Sequence, residues 1–85
     1  MSSQLKVALV TGAGTGIGRA VSLALIDAGY AVVLTGRRLE LLQQTASMSN
    51  ADNRYYLCVS CDVGDPLQVE HLFSELSRKF SRLDL

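Results

Sequence analysis

A four-residue apolar run, Val7-Ala8-Leu9-Val10, leads directly into Thr11-Gly12-Ala13-Gly14-Thr15-Gly16-Ile17-Gly18. Apolar residues then recur at helical spacing, at Ile17, Ala20, Val21, Ala24, Leu25 and Ala28. This juncture constrains the fold more than any other segment. An unbroken apolar run is what a strand covered on both faces requires, and such strands belong to parallel sheets. Gly29 supplies a C-terminal stop for the helix. Between strand and helix, four Gly in seven residues exceed what a plain connection needs. Glycine takes positive φ and carries no Cβ, so the backbone can turn sharply and approach a ligand closely. The first N–H groups of the helix have no internal partners, and its dipole favours an anion there. A pyrophosphate is the natural occupant. A Walker-type loop is excluded, because no Lys occurs between Thr11 and Ala20.

The pattern repeats downstream. Ala31-Val32-Val33-Leu34 reads as a second buried strand, and Leu39, Leu42 and Ala46 mark a shorter helix. A polar loop from Ser47 to Arg54 separates it from a third strand, Tyr55 to Ser60. In the last helix Asp65 suits the N-cap, Pro66 the first position and Gln68 the third, which makes a capping box available. Val69, Leu72, Phe73, Leu76 and Phe80 follow as its apolar stripe. Leu83-Asp84-Leu85 opens a fourth strand. Strand–helix alternation with buried strands predicts an α/β fold with a parallel sheet and right-handed crossovers.

Composition limits what this fold can be on its own. The chain is 48% hydrophobic and 19% charged, which suits a packed core, yet it has only 85 residues. We expect residues 1–85 to be the N-terminal part of a single larger domain, with a doubly wound strand order 3-2-1-4 in which strand 1 has an open apolar edge. Eight basic residues cancel eight acidic ones, so no electrostatic footprint for nucleic acid or an anionic membrane is present. The residues before Val7 lack the roughly 7–15 apolar positions of a secretory segment. No run approaches the roughly 20 that span a bilayer. The expectation is a soluble, cytoplasmic protein.

Two other features carry little chemistry. Cys58 and Cys61 lie in a run of strand formers, where a spacing of three sends side chains to opposite faces. With one His and no further Cys, no zinc set can be assembled, and we expect two unrelated buried thiols and no metal. His71 is expected at the surface or boundary of the last helix. Glu40, Glu70, Glu75, Arg78, Lys79 and Arg82 read as solvated helix faces, and Asp65 as a cap alone.

The glycine spacing is T-G-x-x-x-G-x-G, with Gly12, Gly16 and Gly18; Ile17 stands where the G-x-G-x-x-G pattern would place its third glycine. Together with the Asp62-Val63 pair after the third strand, this arrangement resembles the short-chain dehydrogenase/reductase family, over the whole chain. The resemblance implies a Rossmann-type dinucleotide-binding fold, with Thr11, Gly12, Gly14, Thr15, Gly16, Ile17 and Gly18 around the pyrophosphate. It implies that Asp62 accepts from the adenine amino group while the Val63 backbone lines the ring pocket. An Asp at such a place is otherwise a turn former. Enzymes that use NAD commonly carry an acid at the end of the second strand, on the ribose hydroxyl. Here Gly36 occupies that place and Arg37-Arg38 follow. The resemblance assigns Arg37 to a ribose 2′-phosphate and lets Arg38 flank the phosphate or the adenine, so NADP(H) is favoured over NAD(H). The bland alternative is two solvated arginines at a helix start.

The catalytic set of the family is missing. A Tyr four residues before a Lys exchanges the substrate proton there, aided by Ser and Asn, but Tyr30, Tyr55 and Tyr56 precede Leu34, Val59 and Ser60. The only lysines are Lys6 and Lys79. No residue here is assigned as catalytic. The favoured expectation is the N-terminal part of an NADP(H)-dependent oxidoreductase, homo-oligomeric as relatives commonly are, acting on a small carbonyl or alcohol. The alternative is a catalytically inactive nucleotide-binding module or a non-functional truncated fragment.

Overall fold

The computed structural model describes residues 6–80 and 83–85. Strands β1 (Val7–Thr11), β2 (Ala31–Gly36) and β3 (Tyr56–Ser60) form a parallel sheet in the order β1-β2-β3. Val7 is paired with Ala31, and Val32 with Tyr56. Helices α1 (Gly16–Asp27) and α2 (Leu39–Met48) lie on one face and α3 (Pro66–Lys79) on the other. The alternation of β2 divides the core accordingly. Val32 and Leu34 pack with Ala13 and Leu42 on the α1–α2 face, while Ala31 and Val33 pack with Val7, Val59, Leu72, Leu76 and Phe80 under α3. Each such Val or Leu contributes about 1.5–3 kcal/mol by leaving water. Cys58 belongs to the first cluster and Cys61 to the second, so the thiols do fall on opposite faces. Burial pushes the Cys58 thiol up.

The residues at 83–85 continue the sheet along the other edge of β1. Leu85 donates to the Val7 carbonyl (3.1 Å) and accepts from the Leu9 N–H (2.8 Å), which is one rung of a parallel ladder. The Asp84 carboxylate takes the Val7 N–H at 2.8 Å. The expected open edge of β1 is thus covered along its first half.

Helix ends follow local chemistry. α1 closes with Gly29 at φ 98°, with Gly29 N–H to Ile26 O and Tyr30 N–H to Leu25 O, both 3.0 Å, the two bonds of a Schellman end. Asn50, at φ 58°, takes the same left-handed position after α2. Asp65 caps α3 by accepting from the Leu67 N–H (3.0 Å). The capping box itself does not form. Gln68 reaches past the cap instead, accepting from the Asp62 N–H at 2.7 Å and so fastening the β3–α3 connection.

Other expectations are corrected. α2 runs on to Met48, and the polar segment that follows ends in a short 3-10 turn, Asn53–Tyr55, so β3 begins at Tyr56. The apolar face of α1 is turned the other way from a simple stripe: Ser22 is its fully buried residue, while Ile17 is 83% exposed and Val21 is exposed. The cause is apolar residues all around this helix, so that closeness of approach, not hydrophobicity, selects the inward side. Phe73 is likewise exposed, beside Val63 and Val69. Lys79 is exposed as expected but also bonded: its ammonium donates to the carbonyls of Asn53 and Tyr56 (2.8 Å to the latter), tying α3 to the outer strand. Arg82 lies outside the described residues, and His71 is exposed as expected.

Two contacts hold the first turn in place. A Cβ on Gly18 would lie 1.9 Å from the Gly12 carbonyl oxygen and 2.6 Å from its carbon, so α1 rests directly on the turn backbone. The Ser22 hydroxyl donates to the Gly18 carbonyl (2.7 Å), satisfying it inside this contact. From the other side, the buried Thr45 hydroxyl of α2 donates to the Ala13 carbonyl (2.8 Å) and accepts from Arg19 Nε (2.9 Å). Gly18→Ala therefore has no room to relax into. Its expected cost is at or above the upper end of about 1–3 kcal/mol, read from the denaturant midpoint. Thr45→Val keeps the volume and strands a buried carbonyl. It should cost about 1–3 kcal/mol in the same measurement.

Candidate functional site

The C-terminal ends of the three parallel strands, Thr11, Gly36 and Ser60, lie along one edge of the sheet, and the segments that leave them carry the candidate residues. Gly12 and Gly16 sit at φ 62° and 57°, a region most side chains avoid. A Cβ at either would meet nothing within 4 Å, so the turn is open on that side. Ala13 is spoken for: its N–H donates to the Thr35 carbonyl (3.1 Å), which fixes the turn to the end of β2. Gly14 faces α2, where an added Cβ would come within 2.8 Å of the Leu41 Cβ.

Thr15 is the N-cap of α1, in extended conformation, and its side chain caps nothing. Arg19 N–H donates to the Thr15 carbonyl (3.2 Å), the first bond of the helical ladder. The N–H groups of Gly16, Ile17 and Gly18 therefore have no helical acceptor. No acid occupies this first turn either. α3 meets the same need with Asp65, so the uncapped end of α1 is a local choice rather than a property of the fold. The Ile17 side chain projects into solvent, leaving its backbone as the group it offers here.

Gly12, Gly14, Thr15, Gly36, Arg37, Arg38, Leu41 and Leu42 line one hollow of about 120 Å³. Arg37, Arg38 and the α1 N-cap residue Thr15 border it with no carboxylate in the lining, a set that fits phosphate oxygens, while Gly16, Ile17 and Gly18 are not among the lining residues. Arg37 is 80% exposed, and its Nη2 stands 3.7 Å from Asp62 Oδ1, beyond hydrogen-bonding distance. Arg38 is engaged with Glu40 through Nε (3.0 Å) and Nη2 (2.9 Å). The Glu40 carboxyl is held below its usual value, first by its own backbone N–H and then by Arg38.

Asp62 fills the turn-forming role weighed for it. Its Oδ1 accepts from the Gly64 N–H (2.9 Å) and its carbonyl from the Asp65 N–H (2.9 Å), which builds the turn into α3. The same side chain faces Arg37 across the β2–β3 ends. Val63 is not brought to the hollow by its side chain, which lines a separate, wider trough of about 830 Å³ along α3 with Pro66, Val69 and Phe73. That trough is larger and mainly apolar, and it lies away from the helix end and the arginines.

Sequence reasoning missed the residues that hold the site: Arg19, Ser22, Leu41 and Thr45. One signal was available. Thr45 lies between Leu42 and Ala46 at the spacing of a buried helical stripe, where a hydroxyl needs a partner. Nothing in the spacing of Ser22 or Arg19 marks the backbone or side chain each one meets.

Residues 6–85 match the family model described as short chain dehydrogenase. "Dehydrogenase/reductase SDR family member 1" of Mus musculus is 38% identical over 81 residues, 94% of this chain and 26% of that protein. Among solved structures, a short-chain type dehydrogenase/reductase from Mycobacterium marinum superposes with a TM-score of 0.87 at 34% identity, covering 95% of this chain and 33% of the other. The 3-ketoacyl-(acyl-carrier-protein) reductase from Brucella melitensis, complexed with NADH, gives 0.86 at 28% identity, covering 98% and 33%. The chain thus spans about a quarter to a third of the length of these relatives. With its parallel β1-β2-β3 order and its glycine turn opening onto the end of α1, the chain belongs to the short-chain dehydrogenase family.

Proposed function

We propose that this chain supplies the adenosine and pyrophosphate half of the cofactor site in an NADP(H)-dependent oxidoreductase that transfers hydride between the nicotinamide and a small carbonyl or alcohol substrate. The observation that carries the reading is the shared hollow. The glycine turn, the uncapped start of α1 and both arginines border one space, and Gly36 stands where an acid would oppose a 2′-phosphate. The NADH held by the Brucella melitensis enzyme supports a nicotinamide dinucleotide in general, and the arginines speak for the phosphorylated one.

In this reading the N–H groups of Gly16, Ile17 and Gly18 receive the pyrophosphate oxygens. The Arg37 guanidinium, the less committed of the two, receives the 2′-phosphate through charge-assisted bonds. Asp62 takes the adenine amino group while it continues to hold the turn. The cofactor, once bound, provides the hydride; the residues here bind and orient it and move no proton. The same proposal makes the protein cytoplasmic and homo-oligomeric, with no nucleic-acid or membrane partner, and the cancelled charge supports the last two points.

Calorimetric titration tests the cofactor reading. NADP⁺ should bind at least tenfold more tightly than NAD⁺, and equal affinities would overturn the preference. Arg37→Gln should weaken NADP⁺ about ten- to hundredfold, from bonds to a charged group of about 1.5–3 kcal/mol, and leave NAD⁺ within about twofold. The protein isolated from its source should oxidise NADPH in the presence of some member of a panel of small ketones. A protein that only binds nucleotide would oxidise none.

A further inference from the structure

The two arginines that follow β2 are adjacent in sequence but differ in what holds them. The Arg37 carbonyl accepts from the Ser60 hydroxyl (3.1 Å), but its guanidinium has the 3.7 Å approach of Asp62 alone. Arg38 is fastened to Glu40 through Nε and Nη2 together, both on the single oxygen Oε2, at 3.0 and 2.9 Å. Those two donors form one of the forks with which a guanidinium grips a phosphate. The carboxylate therefore occupies donors that a ligand on this side of the hollow would use. Its partner Arg38 lines the hollow with Gly12, Gly14 and Thr15, whereas Glu40 itself does not.

Glu40 has one other evident reason to be where it is. It lies in the first turn of α2, where a carboxylate complements the helix dipole. That reason accounts for an acid at this position. It does not require the Arg38 fork to close on it, since Arg38 is the N-cap residue and makes no side-chain cap of its own. Both groups are exposed, so the pair is weak enough for an incoming dianion to break. Only Leu39 separates the partners, and Arg38 already lines the hollow, so on release it stays within reach of it.

We infer that Glu40 is a specificity-setting residue that keeps Arg38 from the ligand and so holds down the preference of this site for a 2′-phosphorylated ribose. The inference rests on the proposed placement of a nucleotide in the hollow. It assigns the residues separate parts: Arg37 as the standing receptor of the phosphate, Arg38 as a second receptor available only when Glu40 lets go.

The test uses two probes, adenosine 2′,5′-bisphosphate and 5′-AMP, titrated calorimetrically into the wild-type protein and into Glu40→Gln, Arg38→Gln and the double variant. A melting curve for each confirms that α2 is intact, and Glu40→Ala serves as the second variant at that position. Glu40→Gln should tighten the bisphosphate about two- to fivefold, as expected for freeing one exposed pair, and leave 5′-AMP unchanged. The gain should vanish in the Arg38→Gln background. An unchanged bisphosphate affinity, or an equal gain for both probes, would overturn the inference. A gain that survives without Arg38 would do so as well, because it would then be a through-space effect of the lost charge. Failure of the cofactor reading is recognised separately, by a wild-type protein that does not distinguish the two probes.

Discussion

The contact between Gly18 and the Gly12 carbonyl is what the remainder of the structure depends on. With 1.9 Å between that oxygen and the place of an absent Cβ, α1 begins closer to the turn after β1 than any residue but glycine at position 18 allows. This closeness sets the direction of the helix and decides which of its sides faces the sheet. It brings Ser22 inside and leaves Ile17 and Val21 outside, against the order that hydrophobicity alone would choose. The same closeness points the first N–H groups of α1 out over the sheet edge. α2 is drawn into the arrangement by Thr45 on Ala13 and by Leu41 against Gly14, so one backbone turn positions two helices.

Charge is distributed with equal economy. α3 satisfies its first turn with Asp65 and carries Arg78 and Lys79 at its far end, as the helix dipole favours. α1 has no acid at its start, which is unfavourable in isolation, whereas the basic N-cap Arg38 of α2 is offset by Glu40 in the first turn. The N-cap residues of both helices border the same small hollow. An anion bound there would relieve the two at once, at the uncapped N–H groups and at the guanidinium groups. In the proposed reading, a phosphate held there would therefore stabilise the fold that recognises it.

Much of this was legible in the sequence. The strands were evident because parallel strands buried on both faces are apolar without interruption, as in Ala31 to Leu34. The end of α1 was evident from Gly29, and the start of α3 from Asp65 and Pro66, because caps are local chemistry. What the sequence concealed were long-range choices. The apolar side of α1 could not be chosen, since Ile17 and Val21 compete with Ile26 on the opposite side and the decision is made by a steric contact with another segment. Gln68 was expected to close a capping box and instead holds Asp62, six residues earlier, because the preceding turn brings that N–H nearer. The bonds of Lys79 to the end of β3 join residues 23 and 26 apart, beyond any local pattern. The arginines were found as a pair from their position; that one is tethered and the other is not depends on rotamers that spacing does not encode.

The winding of the chain explains why the glycine turn lies where it does. α1 and α2 cover one face because the chain advances outward, from β1 to β2 to β3, by crossovers of one hand. α3 covers the other face because the next strand must return to the far side of β1, and the rung from Leu85 to Val7 and Leu9 begins there. The order of the sheet thus reverses beside β1. In open α/β sheets, strands on either side of such a reversal send their connections to opposite faces, which leaves a crevice at their C-terminal ends. The turn at Gly12 to Gly18 stands at the rim of that crevice. The glycine turn therefore leaves the strand at which the order of the sheet reverses.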